Sequence, residues 1–233
     1  MTVVARYKDN LGGHIDLHET EYKVNPFDWV STQFNYFNWQ SDFPVFYEDV
    51  NVYPSLMNFV RSKLKQNRLE QRFKALSSDS VWNSESELAT FLSEILWKDA
   101  HIFALPIMFT YYGNDILYYF HGASDTQDFD GSLVGFAWVE QENLTYRGEP
   151  VLRLTQKRVE DYLRQETITL QLYSAYLNGK VYDAYIYDSD GNELDFYEGL
   201  YDYGYNLDLL EYAYTARCLD IDESKLKFTK VEI

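Results

Sequence analysis

From residue 99 to 146, and again from 181 to 216, the chain carries no lysine or arginine, while the first stretch holds seven acids and the second nine. Any surface folded from these segments is strongly electronegative, because no local cation can pair with the carboxylates. Such a field repels nucleic acid and attracts basic protein surfaces. The asymmetry extends to the whole sequence. Of the net charge of -17, residues 1–98 contribute only a slight excess of acid, and the remainder lies beyond residue 98.

So large a charge would suggest disorder were the chain not 46% hydrophobic and 18% aromatic, which is enough apolar surface for 233 residues to bury a substantial core. No run of about 18 apolar residues is present, and MTVVARYKDN lacks the apolar centre of a secretion signal. The expected location is therefore the cytoplasm. Cys218 is the only cysteine, so no intramolecular disulfide and no thiolate metal cluster can form within one chain.

Along the chain, the first fifty residues read as irregular or β, with a turn at Gly12-Gly13 and an aromatic run from Phe27 to Trp39. From about Ser55 to Leu76, apolar residues recur at helical spacing among Arg61, Lys63, Lys65, Arg68, Arg72 and Lys74, the one basic face expected in the protein. Ser84 and Glu87 form a capping-box pattern for a second helix through Leu96, and the two helices are expected to pair as a hairpin. HIFALPIMFTYY, ILYYFHG and LVGFAWV read as strands. Thr155 is a candidate cap for a helix over 156–177, ended by Asn178-Gly179. VYDAYIYD, DSDGN and ELDFYEGLYDYG then spell strand, tight turn and returning strand, and a last helix is expected over 207–218. These elements predict an α+β fold: an antiparallel sheet with helices, an N-terminal helical hairpin, and a C-terminal β-hairpin plus helix. A division into a mixed, helical region over 1–100 and an acidic α+β region over 101–233 is expected, within one or two domains.

Motifs for catalysis are sparse. His14, Asp16 and His18 alternate, so a strand would place all three on one face as metal ligands need, but an exposed polar strand face is the stronger reading, because no HExxH-type helical pair supports a metal site. His101 and His121 stand alone in the sequence. Asp188-Ser-Asp190-Gly191-Asn192 resembles the start of a calcium loop, yet the sixth and twelfth positions of such a loop hold Glu193 and Gly199 instead of Gly and Glu. A hairpin turn is the better reading. Phosphate-loop, dinucleotide-binding and nucleophile-elbow patterns do not occur. No catalytic residue, no metal ligand and no cofactor is therefore expected.

The richest pattern is Val181 to Tyr214, where nine acids interleave with nine tyrosines. Alternate strand residues are about 6.6 Å apart, close to the spacing of about 7 Å between neighbouring phosphates on one DNA strand. Aspartates on a rigid hairpin can thus imitate a duplex backbone, and tyrosine supplies a stiff apolar base that still offers a hydroxyl.

Two passages carry a resemblance. LPIMFTYYGNDILYYF with FDGSLVGFAWV, and YLNGKVYDAYIYDSDGNELDFYEGLYDYGYN, together covering about 105–212, resemble a family of uncharacterised phage- and plasmid-borne proteins. Phe129-Asp130-Gly131-Ser132 with Val134-Gly135-Phe136, Tyr176 to Tyr182, and Gly199-Leu200-Tyr201 carry the match. The chain departs from that family where a His-Ser-Gly falls near Tyr112-Gly113 and an Asp-Ser-Cys near Asp195 to Tyr197. The resemblance implies a mobile-element setting, in which small acidic antirestriction and anti-CRISPR proteins mimic DNA.

The expected function is therefore a non-enzymatic phage or mobile-element inhibitor, acting in the host cytoplasm on a basic DNA-binding protein such as a defence nuclease. The carboxylates expected to engage it are Asp125, Asp128, Asp130, Asp183, Asp188, Asp190, Glu193, Asp195, Glu198, Asp202, Asp208 and Glu211. An immunity protein for a basic nuclease toxin, or a metal-dependent phage enzyme using His14, Asp16 and His18, are the alternatives. Direct nucleic-acid or membrane contact is not expected, and a homodimer could extend the acidic surface.

Overall fold

A computed structural model describes residues 2–21, 23–38, 63, 85–123, 131–201 and 227–231. Among these, the strands are β1 (Val3–Asp9), β2 (His14–Glu19), β3 (Asn35–Asn38), β4 (Ile102–Tyr112), β5 (Asp115–Phe120), β6 (Ser132–Glu140), β7 (Thr145–Tyr146), β8 (Glu149–Pro150), β9 (Val181–Tyr187), β10 (Glu193–Tyr201) and β11 (Phe228–Val231). The α-helices are α1 (Glu85–Ala100) and α2 (Gln156–Leu177). No described helix is long and apolar enough to cross a membrane.

Eleven strands in three sheets against two helices make the described chain predominantly β, which corrects the expected α+β architecture with its N-terminal helical hairpin. The reason lies in the N-terminal residues. Instead of serving a helical region, they supply three strands whose partners lie far along the chain: β3 pairs with β6, and β2 with β9. Of the expected helical pair, only the second partner, α1, falls within the described residues. Lys63 apart, the basic stretch 55–76 lies outside them, as does the expected helix over 207–218.

The chain forms two compact units that do not follow sequence order. A terminal unit combines Met1–Trp29 with Gln171–Ile233, and an inserted unit takes Val30–Leu170. Helix α2 runs from one into the other.

In the inserted unit, β3-β6-β4-β5 form a fully antiparallel sheet. Its central strands explain the continuous apolar runs in the sequence, since IFALPIM and LVGFAWV are buried at every position. Burial on both faces removes the polar alternation that a half-exposed strand would show. One face packs Ala104, Phe136 and Trp138 against Leu92, Ile95 and Leu96 of α1. On the other, Phe103 meets Phe34 at 5.8 Å and Tyr162 of α2 at 5.4 Å between ring centroids. Pro106 is tolerated inside this sheet for a geometric reason. Its carbonyl accepts from the amide of His121, so its missing N–H faces the same side, where β5 has already ended at Phe120.

The terminal unit holds a second antiparallel sheet, ordered β10-β9-β2-β1-β11. Ala5, Ile15, Leu17, Ala184 and Ile186 line its buried face. Helix α2 has the bounds its sequence predicts, with Thr155 Oγ1 accepting from the Arg158 amide at its start. At its end, the Lys180 amide donates to Ala175 and the Gly179 amide to Tyr176, the paired bonds of a Schellman cap. Gly179 sits at φ 69°, where an L side chain is strained. Gly179→Ala is therefore expected to cost about 1–2 kcal/mol in chemical denaturation, and an unchanged midpoint would contradict the cap.

Candidate partner-binding hairpin

The acidic hairpin is built from its turn outward. Asp188 Oδ1 accepts from the amides of Asp190 at 2.9 Å and Asn192 at 2.8 Å, and its Oδ2 accepts from the Asn192 side-chain amide at 2.9 Å. Gly191 follows at φ 82°. These bonds, the Asn192 side chain first, hold the Asp188 carboxyl below its ordinary range. Both oxygens of Asp188 thus serve the turn, and the loop is pinned.

Two irregularities then divide the returning strand. The register of β10 against β9 shifts between Glu193 and Asp195, and again between Tyr197 and Leu200. The second bulge contains Gly199 at φ 70°, and its displaced amide donates to Asp183 Oδ1 at 3.0 Å. Asp183 is only 4% exposed, so this carboxylate closes a bulge and does not face a partner. Asp195 is half-buried and accepts from the neighbouring Phe196 amide. Asp190, Glu193 and Glu198 are exposed, with no ion pair among the described residues.

The bulges also decide which side each group takes. Glu193 and Phe196 lie opposite Tyr187 and Tyr185, whereas Asp195 and Tyr197 lie opposite Ile186 and Ala184 on the other face. The acids consequently do not form one row. Asp125, Asp128, Asp130, Asp202, Asp208 and Glu211 lie outside the described residues.

Beside Glu193, on the same face of the sheet, runs a layer of rings. Tyr185 packs on Phe196 at 4.6 Å and edge-on to His18 at 4.9 Å, while His14 stacks on Tyr187 at 4.7 Å and 14°. His14, Asp16 and His18 do share one face of β2, as their alternation predicts. Asp16, however, receives the Arg6 guanidinium in a two-pronged contact, Nε and Nη2 each at 2.5 Å, and the same bond raises the Arg6 pKa. Burial lowers the pKa of His14, whose Nε2 stands 4.0 Å from Asp16. A cation here would have to displace Arg6. No group of three or more His, Cys, Asp or Glu side chains among the described residues could hold a metal ion.

Sequence reading did not anticipate the role of Asp183, which needs a partner sixteen positions away at a bulge. Gly199 within an otherwise strand-like YEGLY was the available signal. His101 adopts φ 56°, and His121 Nε2 lies 3.2 Å from Thr90 Oγ1 on α1. Compared with known protein families, with curated proteins and with solved structures, the chain matches none.

Proposed function

We propose that this chain is a binding protein, an inhibitor from a phage or other mobile element, that sets the acidic β9–β10 hairpin against the DNA-binding surface of a host defence nuclease. The observation supporting this reading is the trio Asp190, Glu193 and Glu198, exposed and without an ion pair among the described residues, on a pinned hairpin within a stretch lacking any lysine or arginine. Glu193 and Glu198 lie five residues apart with a bulge between them, at most about 16 Å along the strand and so no more than roughly two phosphate intervals. The layered rings of Tyr185, Tyr187 and Phe196 stiffen the hairpin that carries these charges, so little ordering entropy is lost on docking.

The test is affinity capture from host lysate at low salt, followed by elution with a duplex DNA competitor and, separately, with salt. A DNA-binding protein released by both is the expected result. The variant Asp190→Lys, Glu193→Lys, Glu198→Lys should fold normally and lose that capture. Binding that persists unchanged from low to several hundred millimolar salt, about a threefold shorter screening length, would exclude the electrostatic mechanism.

A further inference from the structure

The acidic chain carries a compact cationic island in its inserted unit. Five of the twenty lysines and arginines fall between residues 147 and 164, where only three acids accompany them. The two-residue turn of the β7–β8 hairpin, Arg147 at φ 54° and Gly148 at φ 81°, projects the first of these cations. Arg147 and Arg158 both lie against the Tyr146 ring, 5.4 and 5.3 Å from its centre. The Tyr146 hydroxyl donates to Asp161 at 2.6 Å, and Arg164 reaches the other Asp161 oxygen at 2.9 Å. Arg158 also donates to the Arg153 carbonyl at 2.7 Å, tying the approach of α2 to its first turn. The island is therefore held in place by named contacts.

The helix dipole does not account for the cations at its start. Lys157 and Arg158 occupy the first turn of α2, which holds no acid, although the macrodipole favours anions there. Arg147, Arg153 and Lys157 are exposed and stand beyond ion-pair distance of every described carboxylate, although Arg147 and Lys157 lie near enough to help the Tyr146 hydroxyl hold the Asp161 carboxyl below its ordinary range. A second copy of the chain is itself repelled at long range by the net charge of -17, so a contact can seat on the island only at close quarters, where salt screens the two net charges. The hairpin of the same chain offers three exposed carboxylates that make no ion pair among the described residues, on a pinned scaffold.

We infer that the island of one copy receives the β9–β10 hairpin of a second copy, with Arg147, Arg153 and Lys157 meeting Asp190, Glu193 and Glu198. Exposed ion pairs are individually weak, so association is concentration-dependent and of low affinity. It also covers the hairpin acids, giving a form that exposes them only on dilution. The inference stands apart from the partner reading, because reversing the island leaves the hairpin free for any other partner.

The test is sedimentation equilibrium of the full chain at about 0.15 M salt, where a screening length of about 8 Å suppresses the repulsion between the two net charges, over about 0.01–1 mM, the range in which contacts of this strength show. The mass should climb above the 27.6 kDa monomer as concentration rises. Arg147→Glu, Arg153→Glu, Lys157→Glu should lower the association constant at least about tenfold, and the hairpin variant Asp190→Lys, Glu193→Lys, Glu198→Lys should do the same. Combined, the two triple variants restore association by exchanging the signs. Lys23→Glu, Lys98→Glu, Lys230→Glu carries the same net charge as the island variant and should associate far better than it. Wild-type mass fixed at the monomer value, or a combined variant no better than either triple, overturns the inference. So does a lysine control as weakened as the island variant, which would make net charge the cause.

Discussion

Phe136→Ala is expected to destabilise the inserted unit by about 3–5 kcal/mol, read as a shift of the urea midpoint at unchanged slope. Phe136 is fully buried at the middle of β6, a strand paired on one side with β3 and on the other with β4. It sits in the layer between the sheet and α1, beside Leu92 and Trp138. Truncation there loses the transfer free energy of the ring and leaves a cavity, because a strand hydrogen-bonded on both edges cannot move in to fill it. Phe196→Ala provides the comparison. That ring is 40% exposed on an edge strand, and its loss should cost less than about 1.5 kcal/mol. A Phe136→Ala midpoint close to wild type would mean that the sheet is not clamped on both sides.

Glu166→Ala should cost about 1–3 kcal/mol, and the charge of Glu166 should leave a signature in the pH dependence of stability. The residue is 7% exposed on α2 and accepts from the Tyr36 hydroxyl at 2.6 Å and from Thr32 Oγ1 at 2.9 and 2.8 Å. Among the described residues no cation pairs with it. Burial pushes the Glu166 carboxyl above its ordinary value of 4.5, with the two hydroxyls opposing part of the rise, and burial likewise pushes Tyr36 well up. A raised pKa means that the folded state binds the proton more tightly than the unfolded chain does. The resulting stabilisation is complete below the ordinary glutamate value and is lost as pH climbs through the raised one. Asp161 and Asp188 act in the opposite direction, since their carboxyls are held below the ordinary aspartate value of 3.8 and their stabilisation is lost as pH falls beneath it. Denaturation midpoints measured upward from pH 4.5 should therefore decline more steeply in wild type than in Glu166→Gln. Superimposable profiles would show that the carboxylate is neutralised by something other than a proton.

Local chemistry was legible wherever neighbours in sequence set the geometry. Thr155 and Gly179 bracket α2 at the residues their side chains require, and Asp188 with Gly191 and Asn192 makes the turn that those types specify. What could not be read were pairings between distant segments. Nothing near Asn35 announces Trp138 as its strand partner, and nothing near Arg6 announces Asp16 as a fork acceptor until β1 and β2 are set in register. The acids of the hairpin looked equivalent because composition counts charges without burial. The fold separates them into Asp183 at a bulge, Asp188 in a turn, Asp195 half-buried and bonded to the Phe196 amide, and three that face solvent. Likewise, the cation-free stretch 99–146 ends at Arg147, and only the contacts of Tyr146 reveal that the bases following it converge.

The placement of β2 between β1 and β9 has a consequence for how the molecule is made. His14 leaves the ribosome ahead of the inserted unit, but its strand partner Tyr187 emerges only after the whole of that unit has been translated. During that interval β1 and β2 can form no more than a two-stranded ribbon, which is marginal in water, and both of its edges stay open, one awaiting β9 and the other β11. The central segment can meanwhile bury its own sheet, since β3 to β6 and α1 all precede residue 141. The order of synthesis thus favours a nascent chain whose middle matures first and whose N-terminal ribbon waits, an arrangement in which early termination would strand a sticky edge.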